Sequence, residues 1–119
     1  MDRLMEIKRR TDEINKLLND KYPSYRFNKL ESEEITHKVR ELKDYSFAEL
    51  KKLESSEKNR SAVSFESAFI LPAISEFCIR GLHGVKRNSK PNCELHNRIL
   101  GASGDLDYWI FEVGRFNGK

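Results

Sequence analysis

Both cysteines and two of the three histidines fall within nineteen positions, as Cys78-x4-His83-x9-Cys93-x2-His96. Thiolate and imidazole are the preferred ligands of tetrahedral zinc, so the inventory suits a metal site. The spacing suits it less. Five positions along a helix turn through about 500°, so Cys78 and His83 face apart unless the helix stops at Gly81. Cys93 and His96 share a face on a helix but take opposite faces on a strand. The simpler expectation is a buried structural thiol at Cys78, with no metal and no cofactor.

Glu94, His96 and Arg98 form a second set. On a strand, alternate residues share a face, which would gather carboxylate, imidazole and guanidinium beside the basic loop Val85–Lys90. Such a trio can move protons and stabilise developing charge in RNA cleavage. The order of elements read below (a strand, helices, three strands) resembles that of the RelE-like mRNA-cleaving toxins of bacteria. That resemblance implies a ribonuclease, and no residue motif accompanies it. An ordinary solvated sheet face is the commoner meaning of three such residues, so none is assigned as catalytic.

The third feature is charge. Net charge is only +3, yet the stretch from Arg80 to Leu100 carries five bases against the single acid Glu94. Residues 1–79 balance, with fifteen of each sign. Lys86, Arg87, Lys90, His96 and Arg98 are therefore the expected contacts to a polyanion, RNA or DNA. Tyr108 is the expected base-stacking platform. In a strand register Trp109, Phe111 and Val113 share the other face, the one turned to the core.

What must position these groups is a chain of 119 residues, 38% hydrophobic and 34% charged. That length supports a single domain, residues 1–119, with one core. The longest apolar run, Ala68–Ile74, is interrupted by Pro72 and is far below the roughly 20 residues of a membrane span. The opening MDRLMEIKRRTDEI has no apolar signal region, so the expected location is cytoplasmic, in keeping with two cysteines and no disulfide framework.

Residues 61–82, SAVSFESAFILPAISEFCIRGL, are apolar on nearly every side. Phe65, Phe69, Ala73 and Phe77 line one helical face and Ile70, Ile74 and Cys78 the next, which predicts a buried central helix. Pro72 should kink or divide it, and Gly81 and Gly84 should stop it. Before this spine, Leu4, Ile7, Thr11, Ile14 and Leu18 set an amphipathic helix over 2–20, ended by Tyr22-Pro23. Its stripe is too short for a coiled coil. Tyr25–Leu30 alternates like a strand. Ser32 then opens a capping signature for a helix marked by Ile35, Val39 and Leu42. Ser46, with Glu49 three residues on, caps a further helix bearing Phe47, Leu50 and Leu53, and Glu54–Arg60 reads as an exposed loop.

Beyond Gly84 the helical period is lost. Glu94–Leu100 and residues 105–113 read as a hairpin around the turn Ala102-Ser103-Gly104-Asp105, with Val85–Arg87 as a third strand. The expected fold is α+β, N-terminal helices around the buried helix 61–82 with a small C-terminal antiparallel sheet. There is no phosphate-binding glycine loop and no nucleophile elbow. The expected function is non-enzymatic nucleic-acid binding through the basic C-terminal segment, without cofactor or membrane. The alternatives are a protein-binding regulator or inhibitor of the kind a mobile genetic element encodes, and the RelE-like ribonuclease. The oligomeric state is not specified.

Overall fold

Ile7, Thr11, Ile14 and Leu18 are all buried, and they place the apolar stripe of α1 (Asp2–Asn19) against the interior. The threonine in that stripe is satisfied within its own helix, its Oγ1 donating to the Ile7 carbonyl at 2.7 Å. The computed structural model describes residues 2–54 and 60–118, with side chains described at 5–52, 70–108 and 111. Leu4, Leu53, Phe65, Phe69, Trp109 and Val113 lie outside the described side chains, as do residues 55–59 of the expected loop.

The described residues form four α-helices and no strand: α1, α2 (Lys29–Glu54), α3 (Arg60–Ile79) and α4 (Lys90–Gly118), with a π-helical turn at Arg80–Gly84 between the last two. The α+β expectation is therefore corrected to an all-helical bundle, 47 × 21 × 20 Å in extent. Each helix has two neighbours. Among the described residues α1 packs on α2 and α3, and α4 packs on the same two, so α1/α4 and α2/α3 are diagonal pairs.

Directions follow from the contacts. Lys38 Nζ reaches Glu13 Oε1 at 2.5 Å and the Arg10 guanidinium lies over the Tyr45 ring, which makes α1 and α2 antiparallel. Ser32 touches Pro91 near the start of both helices, and Phe47 stacks on Tyr108 far along both, so α2 and α4 are parallel. Asn15 of α1 donates to the Ala73 carbonyl of α3, and Ser103 of α4 meets Cys78 of α3.

Four expectations fail for physical reasons. The expected C-terminal sheet is one helix, because Leu95, Ile99, Ala102 and Leu106 recur at helical spacing and are all buried. Pro91 falls in its first turn, where a missing N–H costs nothing. Gly101 and Gly104 lie on the outer face with open space around them, so the turn they suggest never forms. The break at Asp44-Tyr45 is absent too. Ser46 is buried within α2, and its Oγ donates back to the Leu42 carbonyl at 2.7 Å instead of capping a new helix. The cap of α2 is Asn28, not Ser32: Asn28 Oδ1 accepts from Glu31 N–H at 2.8 Å, and its own N–H donates to Glu31 Oε1 at 3.0 Å. Tyr25–Asn28 is consequently a loop and not a strand.

The spine is also not central. Ile70, Ala73, Ile74 and Phe77 are buried, while Pro72, Ser75, Glu76 and Ile79 are exposed, so α3 over residues 70–79 presents one stripe to a shared core. Pro72 is carried inside the helix. Gly81 lets the π-helical turn close on α4, since a Cβ there would stand 2.7 Å from Ile99 Cγ2.

Acid lability follows from the paired carboxylates. Its hydrogen bond from Lys38 holds Glu13 below the ordinary carboxyl value of 4.5. Arg9 does the same to Glu6, and the Asn28 backbone, followed by Lys21, to Glu31. A carboxyl with a lower pKa folded than unfolded adds stability that is complete above the unfolded value and is lost as pH falls through the folded one. The urea midpoint should therefore drop from neutral pH to about pH 3, and the triple variant Glu6→Gln, Glu13→Gln, Glu31→Gln should lose less over that interval. Equal losses in both proteins would refute the assignment.

Candidate nucleic-acid interface

Because α2 and α4 run parallel, both begin at one end of the bundle, where residues 20–28 and 80–89 also lie. These two loops are held to each other. Asn92 Nδ2 donates to the Tyr25 carbonyl at 2.9 Å, and the Phe27 N–H donates to Asn92 Oδ1 at 3.1 Å. Gly84 passes close over the Tyr25 ring, whose carbons would stand 3.0 Å from an added Cβ. Tyr25 takes a left-handed backbone (φ 50°), and with Phe27 and Val85 it is buried, so the loops share the hydrophobic core.

Their polar residues are thereby turned outward. Residues 25–30 and 85–92 contain five bases (Arg26, Lys29, Lys86, Arg87 and Lys90) and no acid. All five are exposed, and among the described residues none forms an ion pair. Arg26 lines a depression with Phe27, Asn88 and Ser89, which brings the two loops to one surface. Lys29 and Lys90 each open a helix, at the positive end of its dipole, where a cation is unfavourable and an anion is stabilised. At α2 this end is occupied by the Glu31 carboxylate of the capping box. At α4 the first turn has no acid, and its cap is the neutral Ser89, whose Oγ accepts from the Asn92 N–H at 3.3 Å.

The residues expected to act together are divided by the helix. Lys86, Arg87 and Lys90 remain one cluster at this end. His96 sits half-buried beneath it, its Nδ1 accepting from Arg87 Nε at 3.1 Å, so it positions Arg87. Arg98 is on the opposite flank of α4, in a groove toward α2. Tyr108 is eighteen residues along α4 from Lys90, about 27 Å away, and is stacked on Phe47 with ring centroids 6.4 Å apart. It cannot serve as a platform for this cluster. The same turn of the helix separates Glu94 and Arg98 from His96, so the trio imagined for RNA cleavage is not assembled.

The cysteine and histidine set is dispersed as well. Cys78 Sγ accepts from Ser103 Oγ at 3.2 Å, and burial pushes its thiol above the ordinary 9.0, away from the thiolate a metal requires. His83 is exposed on the π-helical turn, and among the described residues no three His, Cys, Asp or Glu side chains could hold one ion. No helix among them is long and apolar enough to cross a membrane. No protein-family model, curated protein or solved structure matches this chain.

Arg26 and Lys29 were not readable as partners of Lys86 because some sixty residues separate them in the chain. The Asn28-x-x-Glu31 box was the available signal, since it marks residues 20–28 as a loop that ends where α2 begins. Tyr22 in that loop is 68% exposed and stands edge-on to Tyr25, which gives the basic end an aromatic neighbour that Tyr108 is not.

Proposed function

We propose that this chain binds nucleic acid, RNA or DNA, without cleaving it, through Arg26, Lys29, Lys86, Arg87 and Lys90. The supporting observation is that five exposed bases from two distant segments share one end of the bundle with no acid inside either segment, the neighbouring Glu31 being paired with Lys21. A phosphate chain would replace the missing counter-charges and release its own condensed cations. The two free cysteines, Cys78 and Cys93, fit a cytoplasmic setting.

If all five bases meet phosphates, log affinity should fall against log salt with a slope of about −3.5 for a single strand and −4.5 for a duplex. The double reversal Lys86→Glu, Arg87→Glu should weaken binding to a random oligonucleotide at least tenfold and flatten the slope. The control pair Lys51→Glu, Lys52→Glu lies at the far end of α2, about 33 Å from Lys29, and should matter much less. Equal losses from the two pairs would reduce the effect to overall charge. No binding at low salt would remove the reading and favour the protein-binding regulator. The outward face of α4 supports that second reading, with Leu100, Tyr108 and Phe111 exposed. The apolar face of α1 does not, being spent inside the bundle.

A further inference from the structure

The groove between α2 and α4 is a second polar feature, of about 690 Å³, and it is distinct from the basic end. Its charges are ordered. The parallel register of the two helices, set by Ser32 on Pro91 and Lys43 beside Asp105, gives the sequence Glu33, Glu94, Arg98, Arg40 from the loop end inward. None of these four side chains forms an ion pair or hydrogen bond with another described residue. That is unexpected for Glu94 and Arg98, which are spaced four apart in the favourable order for a helical pair. Thr36 and Asn97 add a hydroxyl and an amide to the lining.

Two carboxylates at one end of a groove and two guanidiniums at the other make a dipolar cavity. The acids stand between the basic end and the arginines, so a phosphate chain entering from that end would be repelled before it reached Arg98. A singly charged ligand would satisfy one half and leave the other unmatched. We infer that this groove binds a small zwitterion of about the size of a di- or tripeptide, its ammonium on Glu33 and Glu94 and its carboxylate on Arg40 and Arg98. The helix rise separates Glu94 from Arg98 by about 6 Å and Glu33 from Arg40 by about 10 Å, which sets the spacing between the ligand's charges. Guanidiniums from two helices can grip the carboxylate by paired N–H donors. A volume of this size lies in the range of small-molecule sites.

Titration of the intact chain with triglycine and with ε-aminocaproate tests this, read on the arginine side-chain N–H signals by NMR. Both should give saturable shifts at Arg40 and Arg98, with a dissociation constant of about 1 mM or tighter. Caproate and hexylamine, each carrying one of the two charges, should bind at least tenfold more weakly. The pairs Arg40→Gln with Arg98→Gln, and Glu33→Gln with Glu94→Gln, should each weaken triglycine tenfold or more at an unchanged melting temperature. Lys86→Glu with Arg87→Glu should leave it alone. Shifts that do not saturate, caproate binding as well as ε-aminocaproate, or inorganic phosphate displacing triglycine would each overturn the inference. The last result would mark a simple anion site.

Discussion

Replacing Phe77 by alanine is expected to destabilise the fold by about 3–5 kcal/mol, the largest loss from any one truncation in the described core. Phe77 is the largest fully buried side chain among the described residues, in the stretch of α3 where Ala73 meets α1 and Cys78 meets α4. Its removal leaves a cavity where helices meet from two sides, so neither neighbour can close the gap without leaving the other. Ile79, two residues on and 59% exposed, supplies the contrast. Ile79→Ala should stay within about 0.5 kcal/mol of the parent, as surface truncations do. Thermal or urea unfolding of the pair measures the difference. Similar stability for the two variants would mean that α3 does not present the face described here.

That contrast also shows what the sequence made legible. α1 could be read because Ile7, Thr11, Ile14 and Leu18 keep a helical period without a glycine or proline among them. The stripe of α2 was visible in Ile35, Val39, Leu42 and Leu50, but its continuity was not. A serine followed three residues later by glutamate caps a helix only where the first-turn N–H groups are unpaired, and inside the continuous α2 Ser46 instead donates back to the Leu42 carbonyl. The apolar run of α3 predicts a helix but not its place at the side of a shared core. Its polar residues were too few to mark an exposed face, and Pro72 and Ile79 lie on that face despite being apolar.

α4 was lost because local and tertiary signals oppose each other. Gly101 and Gly104 each cost a helix about 1 kcal/mol relative to alanine, and Pro91 and three asparagines suggest turns. The buried series Leu95, Ile99, Ala102 and Leu106, packed against α2 and α3, outweighs them. With the strand register gone, every face assignment in this third of the chain changed. The cluster Lys86, Arg87 and Lys90 was legible because it is contiguous. Arg26 and Lys29 join it only through a contact of the folded chain.

That contact is Asn92, and Asn92→Ala is expected to cost about 2–4 kcal/mol. The amide is 1% exposed and makes one hydrogen bond to the Tyr25 carbonyl and one from the Phe27 N–H, bridging 65 residues of sequence. Alanine would leave a buried donor and a buried acceptor without partners, and such orphaned groups cost more than the bonds themselves contribute. Asn92→Asp should be damaging as well, because a carboxylate can accept from Phe27 but cannot donate to Tyr25. The loss should not stop at stability. Asn92 fixes the segment that carries Arg26 beside the segment that carries Arg87 and Lys90, and a patch whose halves move independently must be ordered again when a polyanion binds. At a temperature where the variant is still folded, its affinity for the oligonucleotide should therefore fall, with the salt slope less affected because the charges are all retained. Lower stability with unchanged affinity would show that the two loops bind without being held together. Unchanged stability would mean that the amide bridge does not form.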